Sequence, residues 1–147
     1  MNSFYKIVTF LSISLFLGFV AMKLESTFVD KFSESILALL TTLFAINIAS
    51  STLIAGKVRE IQNSTGHSFT KTKKNLKISF YEQIIFICIA LIASLLRDSL
   101  FLTGLVDSKY VKFACDTILF LSFICYLDII RDIGKALFDL LDFDIKK

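Results

Sequence analysis

The chain contains no proline and no tryptophan, one histidine, five glycines and three cysteines. Each shortage removes a class of protein. Without proline nothing forces a break inside a helix, so the broken helices around which many secondary transporters bind substrate have no support here. Gly18, Gly56 and Gly104 are the only glycines near the first three apolar stretches, and continuous helical rods are expected. His67 has no second ligand or nucleophile beside it. Cys88, Cys115 and Cys125 stand singly, with no Cys-x-x-Cys pair. Neither a disulfide framework nor a metal set is indicated, and the cysteines read as small packing residues. No nucleophile–base pair, metal-ligand spacing or glycine-rich phosphate loop occurs. The chain therefore reads as no enzyme, with no catalytic residue, no metal and no cofactor. A net charge of +3 gives no footing for direct nucleic-acid binding. Sixteen phenylalanines beside no proline or tryptophan fit an AT-rich bacterial genome.

What the chain has instead is oil in blocks. Hydrophobic residues make up 55% of it, and the mean hydropathy is +0.72. The apolar blocks fall at about residues 4–22, 35–55, 81–106 and 112–131. Each can cover the roughly 30 Å of bilayer hydrocarbon, which takes about 20 helical residues. Lipid offers no partner to an unpaired amide, so these blocks are expected as helices. The exit of the first, FVAMKLES, lacks a small-x-small cleavage site, and that block reads as a retained helix. The expected fold is an all-α membrane protein, a single four-helix transmembrane domain over residues 1–147.

Charge sets the expected orientation. The loop at residues 57–80 carries Lys57, Arg59, Lys71, Lys73, Lys74 and Lys77, whereas Lys23 and Lys31 are offset by Glu25, Asp30 and Glu34. The positive-inside rule puts that loop and both termini in the cytoplasm of a bacterial inner membrane. Lys71, Lys73, Lys74 and Lys77 are expected to dock lipid headgroups or an acidic cytoplasmic partner protein. From Asp128 to Lys147 the fourth span continues as an amphipathic cytoplasmic helix. It would lie on the inner leaflet or bundle with copies of itself, and its acidic bias favours a protein partner.

Small and polar residues mark faces. Ala38, Thr42, Ala45, Ala49, Thr52 and Gly56 form a stripe of alternating four- and three-residue steps. Close backbone approach drives helix association in lipid, so this seam is expected to make the tightest contact of the bundle. Asn47 and Ser51 lie nearly opposite. They would make interhelical hydrogen bonds or line a water-filled path. The second span is thus a central helix or meets a second subunit. Ser14, Gly18 and Ala21 mark a packing face on the first span. Arg97 and Asp98 interrupt the third. Adjacent residues on a helix point about 100° apart, so each needs a partner elsewhere. A hairpin near Asp107–Tyr110 would bring Arg97 to Asp116 as an interior ion pair, with Asp98 facing a neighbouring helix, a neighbouring subunit or water. The alternative readings are a wet segment at the outer interface and a role in conduction or sensing.

A chain this small encloses little space, so its polar groups are expected to be shared between copies in a homo-oligomer. The layout resembles the small four-helix membrane proteins of anti-phage defence, namely the exclusion membrane protein of lambdoid phages and the membrane subunit of Kiwa-type systems. The shared features are a short first span, a small-residue span with a basic exit (LLTTLFAINIASSTLIAGKVREI), and a tight hairpin of two spans with a charged tail. The resemblance covers the whole chain and rests on layout. It implies an inner-membrane protein that depolarises the cell or detects membrane disturbance beside a cytoplasmic partner. The expected function is an oligomeric pore or ion channel in antiviral defence. The alternatives are a non-conducting sensor or anchor for a cytoplasmic effector, and a small transporter. The first span lacks the carboxylate that small four-helix exporters carry there.

Overall fold

The computed structural model describes residues 3–24, 27–65, 69–99 and 107–145. Helices α1 (Ser3–Leu24), α2 (Thr27–Thr65), α3 (Thr70–Arg97) and α4 (Ser108–Ile145) account for nearly all of them. Each holds a stretch long and apolar enough to cross a membrane: Tyr5–Leu24, Phe28–Asn63, Thr72–Arg97 and Ser108–Phe138. All four run without a break. Serine and threonine hydroxyls, otherwise competitors for the backbone, donate to carbonyls of their own helix, as Ser14 does to Phe10 at 2.8 Å.

Two boundaries differ from expectation. Residues 57–80 are almost wholly helical, because α2 runs on to Thr65 and α3 already begins at Thr70. The cause is a continued apolar stripe: Ile54, Val58 and Ile61 are buried and pack with Leu76. At the other end α3 stops at Arg97, and the Ser99 N–H closes back on the Leu96 carbonyl at 3.2 Å. The expected continuation through residues 100–106 lies outside the described residues. Asp107 starts α4 by accepting the Lys109 N–H at 3.0 Å, the satisfaction an N-cap provides.

The helices pack up and down, and the central one is α4 rather than α2, since α4 touches α1, α2 and α3. Ile36 and Leu40 of α2, Ala90 and Ala93 of α3, and Leu119 and Tyr126 of α4 form one buried cluster. A second cluster joins Ile54, Val58 and Ile61 of α2 to Ile129 and Ile133 of α4. The amphipathic end of α4 therefore packs on the α2–α3 hairpin over Ile129, Ile133 and Leu137. Those three side chains are covered within the protomer, while Phe138 on the same helix stays exposed. Helix α1 lies on α4 so closely that a Cβ at Gly18 would stand 2.4 Å from Thr117 Oγ1.

A candidate functional site: a charged triad and buried polar groups

Arg97 is the last residue of α3, so its side chain is held at a helix end with the hairpin turn beyond it. Its Nε donates to Asp116 Oδ1 at 2.8 Å, and its Nη2 to Asp30 Oδ1 at 2.5 Å. One guanidinium thus ties α2, α3 and α4 together. The Arg97 and Asp116 side chains keep 7% and 9% of their exposure, whereas Asp30 keeps 56%. A buried pair is completed by a wet third member. Asp30 sits in the first turn of α2, where the helix dipole favours a negative charge. Arg97 Nη1 stands 3.9 Å from Asp98 Oδ1, beyond hydrogen-bond reach, and Asp98 points outward. Lys109 and Lys112 line the same cavity of about 270 Å³, along with Arg97, Asp30 and Asp116.

The arginine's partner on α4 was legible from the hairpin, but Asp30 was not. Asp30 falls between the apolar blocks at 4–22 and 35–55, whereas α2 begins at Thr27. Stepping the buried stripe Ile36 and Leu40 back by one and two turns leads through Ser33 to Val29 and Asp30. That extension was the available signal.

A second charged group gathers between α1 and α4. Lys6 bonds Asp128 and lies 3.6 Å from Asp132, while Arg131 reaches Asp128 at 2.7 Å and Asp132 at 3.0 Å. Toward the same end of the bundle as this second group lie buried polar side chains: Asn47 and Ser51 on α2, and Gln83 on α3. The Tyr126 hydroxyl donates to Gln83 Oε1 at 3.2 Å. Asn47 Nδ2, Ser51 Oγ, Gln83 Nε2 and Ser94 Oγ have no hydrogen-bond partner. Asn47 borders a cavity of about 110 Å³ against Ile130, Ile133 and Gly134, roomy enough for water to meet its amide.

Among the described residues these groups are separated by mostly apolar packing. Asp30 and Asn47 stand about 25 Å apart along α2 at 1.5 Å per residue, and the interval holds Ile36, Leu40, Ala90 and Leu119 with the buried serines Ser33 and Ser122. Asn47 thus faces the protomer's own interior, and Ser51, equally buried, stands beneath the surface between α2 and α3.

The small seam faces the other way. Ala38, Thr42, Ala45, Ala49, Thr52 and Gly56 are all exposed, and a Cβ on Gly56 would meet nothing within 4 Å. The expectation of a tightest contact here is corrected: within the protomer the seam is exposed, and its member Thr52 only borders a surface groove beside α3. The two stripes share one period on opposite sides of α2. Isoleucine, leucine and valine of the inner stripe have the volume to bridge to α3 and α4, and alanine does not. Thr42 and Thr52 donate to the Ala38 and Ile48 carbonyls at 2.7 and 2.8 Å, so their hydroxyls need no other partner.

Lys73, Lys74 and Lys77 are exposed on the first turns of α3. The Lys71 side chain lies outside the described residues, as does His67. Lys73 Nζ donates to Gln62 Oε1 across the hairpin at 3.0 Å, and Lys77 Nζ stands 6.0 Å over the Tyr81 ring. Cys115 is buried and Cys125 half-buried, but Cys88 is exposed and so is not the packing residue expected.

No protein-family model, curated protein or solved structure matches this chain. Its chemistry must be read from its own side chains. Among the described residues no group of three or more His, Cys, Asp or Glu could hold a metal ion. The triad offers electrostatics and fastening: it neutralises an arginine amid apolar helices and fixes three of them at one end.

Proposed function

We propose that the chain is a multi-pass protein of the bacterial inner membrane and a non-conducting anchor or sensor for a cytoplasmic effector. Both termini and the α2–α3 hairpin lie in the cytoplasm, on the strength of the hairpin's basic residues. The observation that carries this reading is the packed apolar layer between the triad and Asn47. The polar side chains buried within that layer are serines such as Ser122, and among the described residues none buried there is charged. The pore reading rested on Asn47, Ser51, Arg97 and Asp98 gathering around an axis between copies. Three of these are buried within one copy. Helix α4 runs unbroken from the triad to the charged end, so a displacement at the far side of the bilayer is carried to the cytoplasm by a single rod. The resemblance to anti-phage membrane proteins supplies the setting, in which the protein senses membrane disturbance and releases or engages its effector.

A second reading, an oligomeric pore or membrane-perturbing effector, draws on the outward seam of α2, where another copy could approach closely. Potassium flux from proteoliposomes separates the two. The anchor reading expects no flux above that of empty vesicles, with wild type and Asn47→Leu alike. A flux that Asn47→Leu diminishes would establish the pore instead. Phage plating efficiency on cells with and without the gene tests the setting, and an unchanged efficiency across a broad phage panel would remove it.

A further inference from the structure

On the surface between α2 and α3, toward the hairpin, lies an open groove of about 410 Å³. Lys73 and Lys77 line it, Leu76 and Phe80 form its apolar floor, and Ser51 and Thr52 close it from α2. None of its lining residues is acidic. Lys73 gives one of its three ammonium hydrogens to Gln62, so two remain. Ser51, 3% exposed, borders the groove from α2, with its hydroxyl oxygen buried beneath the wall. Lys74, exposed on the same turn, is not part of the lining.

Depth agrees with charge. Lys77 stands about 30 Å from Arg97 along α3 at 1.5 Å per residue, the thickness of bilayer hydrocarbon. With Arg97 at one boundary, Lys77 lies at the other, level with headgroup phosphates. From these observations we infer that the groove binds the headgroup of one anionic phospholipid. The phosphate sits between Lys73 and Lys77, and an acyl chain lies along Leu76 and Phe80. Basic pockets between spans on the cytoplasmic side suit such headgroups.

The inference rests on the bilayer placement proposed above. The test is native mass spectrometry of the full chain in detergent micelles, titrated separately with phosphatidylglycerol, phosphatidylcholine, inorganic phosphate and a glutamate-rich peptide. The expected result is one phosphatidylglycerol per chain, held about thirtyfold more tightly than phosphatidylcholine, the factor given by two lysines beside a net negative headgroup. Lys73→Gln with Lys77→Gln should erase the preference, and Lys74→Gln should leave it, with helical circular dichroism unchanged in both. Equal retention of the two lipids overturns the inference, as does a preference that survives the double variant. Retention of inorganic phosphate in place of lipid would assign the groove to a free anion. Lysine-dependent retention of the peptide without lipid selectivity would assign it to an acidic protein. Micelle binding does not depend on conduction, and flux does not depend on these lysines, so the two proposals fail separately.

Discussion

An arginine among apolar helices is stable only with company, and Arg97 has two carboxylates of unequal standing. Asp116 is buried with it, so removing that charge strands a guanidinium. Breaking such a pair from one side costs about 3–5 kcal/mol. Asp30 is more than half exposed, and a wet partner of this kind contributes up to about 1 kcal/mol. Unfolding of the full chain in mixed micelles should therefore show Asp116→Asn far more destabilised than Asp30→Asn. Equal losses would mean that burial does not set the hierarchy. The Arg97–Asp116 pair could be foreseen because a tight hairpin leaves those residues few choices. Asp30 comes from a helix distant in sequence and needed the true start of α2.

Helix α2 carries two stripes of the same period, and periodicity cannot say which one turns inward. The volumes of their neighbours decide it, and Gly18 and Gly56 show the same point from opposite sides. Alanine is favoured over glycine in a helix by up to about 1 kcal/mol. At Gly56, with nothing within 4 Å, Gly56→Ala should raise the melting temperature slightly. At Gly18 the new methyl meets Thr117 at 2.4 Å, and the stiff β-branched side chain cannot swing clear at no cost. Overpacking of this kind costs about 1–3 kcal/mol, so Gly18→Ala should lower the melting temperature. A rise in both variants would mean that α1 is not seated on α4 as described. The small face of α1 packs as its spacing predicts, whereas the small face of α2 turns away from the protomer's core, which leaves the expected alternative of a second subunit for it.

The bundle as a whole buries Arg97, Asp116, Asn47, Ser51 and Gln83 and leaves most of each apolar stretch outside, with only 11% to 33% of each membrane-length window buried. That is the inverse of a soluble domain, and it leaves wide faces for lipid or a second copy. The α2 seam is the face suited to a copy, because helices in lipid join where backbones approach closely. With Cys88→Ser removing the exposed native thiol, Ala45→Cys should form a disulfide-linked dimer in membranes. Leu95→Cys, exposed on α3, should not. Equal cross-linking at both sites would make the contact collisional, and none at Ala45 would leave the seam to lipid.

Apolar length and the absence of proline were enough to establish four unbroken helices, because a chain cannot leave its amides unpaired in oil. Lysine placement was enough to propose an orientation. Which side of α2 faces the core, which helix stands at the centre, and which third residue joins Arg97 and Asp116 depend on how side chains from distant segments fill shared space. A repeat along one helix records only that a face exists. The volume and charge of the neighbouring helices determine what that face meets.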